Sequence, residues 1–200
     1  MFKNLWTKSA SALLLASVSF NAFSFSCNEK SPAFIKEGDK YFNLSNTTQL
    51  TPLTEKQKKS VKRVFSPLKK RLKGKGTVFD CIEENGKIKE ERSTERLSAE
   101  VDFQPSGQLD IQLEVYRKKD KTVFIESQKY FANEGFNSLI KQTRKSFSFN
   151  YKTRNLIGRG VGGFNEKFIT LSVNGGVLTI ETYSFYNGYF THSSKRVLRP

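Results

Sequence analysis

The sequence predicts a mainly β fold: an antiparallel up-and-down meander of about eight or nine strands, closed or partly closed into a barrel, with an N-terminal basic amphipathic helix. Three observations carry this. Turn-forming clusters recur after Gly76, at Asn85-Gly86, Pro105-Ser106-Gly107, Lys118-Lys119-Asp120, Asn133-Glu134-Gly135, Gly162-Gly163, Asn174-Gly175-Gly176 and Asn187-Gly188. The runs between them alternate apolar and polar residues, as in Ile111, Leu113 and Val115 or Phe147, Phe149 and Tyr151. Upstream, Val61, Val64, Phe65, Leu68 and Leu72 recur at helical spacings of three and four among lysines and arginines.

Asn-Gly supplies the positive φ angles that tight hairpins need. Runs joined by such turns must be antiparallel neighbours, and a long meander curls because closure removes exposed edges. Leu109 to Tyr116, Thr122 to Phe131, Phe168 to Val173 and Val177 to Tyr186 therefore read as strands. Residues 136–147 suit either a strand or a helix, since Phe136, Leu139, Ile140 and Phe147 fit both periods. The helix is expected over residues 54–73 and the barrel over 75–199. Pro67 cannot sit in a helix interior, while Ser66 before it is a good cap. A kinked helix or two short consecutive ones follow from that, ended by Gly74 and Gly76.

Ahead of this domain (54–200), two further segments are expected: a signal peptide over 1–26 and an arm over 27–53. Lys3 and Lys8 precede an apolar stretch centred on Leu13, Leu14 and Leu15, and small residues follow around Ala22, Ser24 and Ser26. That layout marks an exported protein, periplasmic or secreted, with no transmembrane segment after cleavage. Only Cys27 and Cys81 remain as cysteines, and an even count in an exported chain reads as one disulfide. A cut immediately before Cys27 would instead offer its sulfur to a lipid anchor. His192 is the only histidine, so no metal site of the zinc kind is expected.

The charge is uneven. The whole chain carries +15. Between residues 54 and 75, Lys56, Lys58, Lys59, Lys62, Arg63, Lys69, Lys70, Arg71, Lys73 and Lys75 face only Glu55, a local excess of +9. From Thr77 onward, 19 basic residues nearly balance 15 acidic ones. A basic amphipathic helix beside a near-neutral body suits an anionic surface, with the apolar stripe either in lipid or in the protein's own core. Nucleic acid is disfavoured as a partner by the export signal and by the lack of aromatic residues among these lysines.

The helix, the Gly-containing entry Leu72-Lys73-Gly74-Lys75-Gly76, the meander and a basic last strand ending in Arg199 together resemble the calycin group, which includes lipocalins, fatty-acid-binding proteins and nitrobindin-like barrels. The tryptophan that such barrels carry at this entry is absent. The resemblance implies non-covalent binding of a small apolar molecule inside the barrel. It also draws attention to His192, since nitrobindin-like barrels hold haem through a last-strand histidine. A lone histidine on a strand has a simpler reading as a hydrogen-bonded residue, and no cofactor is expected.

Three functions follow, in order. The first is a carrier of an apolar molecule or lipid, with Leu178, Ile180, Phe185 and Phe190 as wall residues. The second is an adaptor docking on anionic envelope surfaces through Lys56, Lys58, Lys59, Lys62, Arg63, Lys69, Lys70 and Arg71. The third is a small hydrolase. It has little to work with: one histidine, two cysteines expected to be bonded, and the carboxylates Glu83, Glu84, Glu90, Glu91, Glu95 and Glu100, which alternate with bases as on a solvated exterior.

Overall fold

A computed structural model describes residues 26–31, 53–68, 70–131, 137–157 and 160–200. The expected signal peptide and most of the expected arm lie outside the described residues. The helix α1 spans Glu55–Phe65 and the strands are β1 (Arg71–Glu84), β2 (Lys87–Phe103), β3 (Leu109–Arg117), β4 (Thr122–Tyr130), β5 (Asn137–Gln142), β6 (Ser146–Ile157), β7 (Gly160–Asn174), β8 (Val177–Tyr186) and β9 (Tyr189–Arg199). They form one antiparallel sheet in the order β4-β3-β2-β1-β9-β8-β7-β6-β5. Each strand pairs with its sequence neighbour, except that β1 also pairs with β9 and no ladder joins β4 to β5 among the described residues.

The sheet is an open half-barrel rather than a closed barrel, yet it curls strongly. Strands lie about 4.8 Å apart, so β4 and β6, seven places apart in the order, would stand roughly 34 Å from each other in a flat sheet. Instead the rings of Tyr130 on β4 and Phe149 on β6 are 5.0 Å apart. Two glycines on β1 let the chain bend there. A Cβ at Gly74 would collide with the Val197 carbonyl, and one at Gly76 would sit 3.0 Å from the Glu95 carboxylate and 3.1 Å from Arg196 Cγ. The layout is compatible with a calycin-like arrangement.

The concave face holds the core. Leu97, Ala99 and Val101 on β2, Ile111, Leu113 and Val115 on β3, Phe147 and Phe149 on β6, and Leu178 and Ile180 on β8 are buried there with Val61 and Phe65 of α1. Helix α1 starts at a capping box, Thr54 with Gln57, and its first turn carries Glu55 against the helix dipole. Phe65 then stands 5.3 Å from Phe147 and 5.8 Å from Phe131, plugging one end of the curl.

The helix is shorter than the expected 54–73. It stops at Phe65, capped by Ser66, and Arg71, Leu72 and Lys73 already belong to β1. Leu72 continues the helical stripe only by coincidence of spacing, since it enters the core from the strand, in phase with Gly74 and Gly76. Nor is α1 N-terminal, because the Cys27 segment precedes it and is itself fixed to the sheet. The Gly162-Gly163 turn is likewise a correction. Both residues lie within β7, where the ladder shifts register beside Asn155, and Gly163 adopts φ +124° against the Tyr186 ring. Residues 137–142, which suited both periods, form the strand β5.

Cys27 is bonded to Cys81 across 54 residues, so its sulfur is not open to a lipid thioether. The same segment is fixed by backbone bonds from Ser31 N to Gly188 O and from Phe190 N to Glu29 O, and by the Ser31 hydroxyl donating to Glu166 at 2.8 Å. A disulfide is consistent with an exported chain.

Candidate functional site

Past the apolar part of the concave face, the same inward-facing rows turn polar. On β2 the inward phase that gives Leu97, Ala99 and Val101 also gives Glu95, only 2% exposed. On β9 it gives Leu198, then Arg196, Ser194 and His192. Gly76 of β1 stands between Glu95 and Arg196 in one row of the sheet. Having no side chain, it lets the guanidinium cross the strand.

Arg196 Nε donates to Glu95 at 3.0 Å, and Nη1 and Nη2 donate to the two oxygens of Glu126 at 2.6 and 2.9 Å. Arg117 Nη2 lies 3.7 Å from Glu95, with its guanidinium 5.3 Å from the Phe124 ring centre. Burial raises the Glu126 carboxyl, but the hydrogen bonds and charge of Arg196 outweigh it and hold the carboxyl below its ordinary range. Burial likewise lowers the Arg196 guanidinium, and the two carboxylates more than reverse it. Buried Tyr130 donates its hydroxyl to Gln128, and burial pushes its phenol well above the ordinary value.

One turn of the sheet further on, Asp80 and His192 face each other across β1 and β9, with His192 Nδ1 at 2.6 Å from Asp80 Oδ1. That hydrogen bond, against the opposing effect of burial, lowers the Asp80 carboxyl. The next residues in the row are Ser184 on β8 and Lys167 on β7. A cleft of about 320 Å³ is lined by Glu126, Gln128, Lys167, Ser184, His192 and Arg196.

Chemically this is a closed set of ion pairs. Arg196 holds both carboxylates, Glu95 with Arg117 as a second cation, and Glu126 lacks the raised carboxyl that a general acid needs. Among the described residues no hydroxyl is hydrogen-bonded to His192, and no group of three or more His, Cys, Asp or Glu side chains is placed to hold a metal ion.

The expected wall residues fall in two places. Leu178 and Ile180 are packed in the concave core. Phe185 and Phe190 are buried on the convex side with Phe79 and Phe168, at ring separations of 5.7 to 5.9 Å. They do not line one cavity. Of the basic set, Lys56, Lys58, Lys59, Lys62 and Arg63 are exposed on α1, Lys70 and Arg71 are exposed before and in β1, and Lys69 lies outside the described residues. Lys58 pairs with Glu55 at 2.8 Å and Arg71 with Glu100 at 3.2 Å. Glu95, Glu126, Asp80 and Arg196 were not legible as a cluster. Glu95 in particular reads as one of a run of solvated acids, although its phase with Leu97 and Ala99 points inward.

No protein-family model matches the chain, and no curated protein matches it in sequence.

Proposed function

We propose that this is an exported binding protein that docks on anionic envelope surfaces through the outward face of α1. One observation carries the reading. The helix commits its apolar side chains Val61 and Phe65 to the protein's own core, while five cations, Lys56, Lys58, Lys59, Lys62 and Arg63, stay exposed with only Glu55 against them. Each cation near an anionic leaflet contributes about 1 kcal/mol, so a group of this size supports reversible binding without insertion.

The test is co-sedimentation of the mature protein with vesicles. Binding should require anionic lipid and weaken with added salt, because exposed charges are screened. Equal binding to purely zwitterionic vesicles would sink the reading.

The carrier reading ranks second, supported by the open half-barrel and by the polar cleft that adjoins its apolar floor. A ligand there would have to displace Val61 and Phe65. Saturable binding of an apolar fluorophore that strengthens in Phe65→Ala would favour it. No bound lipid in protein from its own host, together with no saturable fluorophore binding, would remove it.

A further inference from the structure

The convex face of the sheet carries a second basic surface, separate from α1. Outward-facing positions on β1 are Arg71, Lys73, Lys75, Thr77 and Phe79, alternating with the inward Leu72, Gly74, Gly76 and Val78. The register sets Lys75 directly opposite Arg96 of β2, and Lys73 opposite Arg199 of β9. Like charges directly opposed across a ladder are destabilising. The nearest acids of this face do not relieve them, since Glu100 is held by Arg71, Glu181 by Lys195 at 2.8 Å, and Glu114 accepts from the Ser98 hydroxyl at 3.1 Å. Lys73, Lys75, Arg92, Arg96, Lys118 and Arg199 make no ion pair among the described residues.

Arg92 and Lys118 line a groove of about 760 Å³ with Thr77, Thr94, Tyr183 and Ser193, and the Lys75–Arg96 pair stands one same-face step along β1 and β2 from Thr77 and Thr94. That volume falls among ordinary ligand sites, roughly 300 to 1,000 Å³. From Lys73 to Phe79 the strand runs about 20 Å, so the charges form a line rather than a point.

We infer that this convex groove binds a linear acidic oligosaccharide, its carboxylates or phosphates meeting Arg92, Lys118 and the adjoining Lys75–Arg96 pair and its hydroxyls meeting Thr77, Thr94 and Ser193. Charge complementarity selects an anion. The hydroxyl lining selects a polyol. A lipid surface fits less well, because none of the exposed large apolar side chains lines the groove. Nucleic acid fits less well too, because the Phe79 ring is already engaged by Arg92 at 5.5 Å and by Phe190, which leaves Tyr183 as a single aromatic in the lining where strand binding stacks successive bases.

The experiment titrates the mature protein with oligogalacturonate, with neutral dextran oligosaccharide, with single-stranded DNA and with anionic vesicles, using the unaltered chain, Lys75→Gln/Arg96→Gln, and a chain with α1 charge-reversed. Oligogalacturonate should bind saturably, more tightly than dextran or DNA. The Lys75→Gln/Arg96→Gln protein should lose about tenfold or more of that affinity, melt no lower than the unaltered chain, and retain vesicle binding. Charge reversal on α1 should leave oligogalacturonate binding in place. The inference is overturned by no saturable binding, by dextran or DNA binding as tightly, by undiminished affinity in Lys75→Gln/Arg96→Gln, or by a lowered melting point in that variant, which would mean that the opposed cations are not a strain awaiting an anion.

Discussion

Arg196 of β9 grips Glu126 of β4 through two hydrogen bonds, at 2.6 and 2.9 Å, although the two strands stand four places apart in the sheet. Side chains bridge that gap only because the sheet curls, so the ion cluster and the curl depend on each other. The cluster also spans β2 through Glu95, which makes three distant stretches of sequence meet at one guanidinium.

Arg196→Ala should therefore be among the most damaging single changes in the chain. It leaves buried Glu95 without its hydrogen-bonded cation, and breaking a buried pair in this way costs about 3 to 5 kcal/mol. Replacing Arg196, Glu95 and Glu126 together by Met, Leu and Leu should cost less, since the one charge left over, on Arg117, is 29% exposed to water. Chemical denaturation of both variants checks the contrast.

Gly76→Ala tests the passage through which Arg196 reaches Glu95. A methyl would stand 3.0 Å from the carboxylate and 3.1 Å from Arg196 Cγ. Overpacking of this kind costs about 1 to 3 kcal/mol, and the loss should shrink when Glu95 is also made Ala. A thermal melt of the single and double variants reads it.

Acid should destabilise the protein through Glu126 and Asp80. Both carboxyls are held below their ordinary values in the folded state, so the unfolded chain binds more protons in the acid range and stability rises with pH there. The contribution is complete above the ordinary carboxylate pKa, near 4, and disappears as pH falls through the lowered folded values. Glu126→Gln should flatten part of that slope in urea titrations run at several acid pH values.

Reducing the Cys27–Cys81 bond opens a loop with a separation of 54 residues. Chain entropy puts the loss at up to about 4 kcal/mol. Cys27→Ser/Cys81→Ser should lower the melting point, and hydrogen exchange should rise first at the amides of Ser31 and Phe190, which donate to the Gly188 and Glu29 carbonyls and depend on the anchored segment.

Much of this architecture is legible in local pattern. Alternation placed the strands, and Asn85-Gly86 and Asn187-Gly188 mark hairpins where Asn85 and Asn187 take φ +53° and +49°. Gly162-Gly163 misled because a bulge uses the same residue as a turn. The helix misled beyond Phe65 because Leu72 fits the helical and strand periods alike. The cluster around Arg196 is of another kind. Asp80 and His192 meet only through a register set 112 residues apart along the chain, and no local period contains that information. Glu95 was within reach, since it shares the inward phase of Leu97, Ala99 and Val101, but its acidic and basic neighbours mask it.

The outward face of α1 is tested most directly by reversing Lys58, Lys59, Lys62 and Arg63 to Glu. Val61 and Phe65 are untouched, so the helix should stay docked, which circular dichroism and melting would verify. Sedimentation with anionic vesicles at low salt should then fall to the level seen with zwitterionic vesicles. A folded variant that still binds anionic vesicles as well as the unaltered chain would contradict the account.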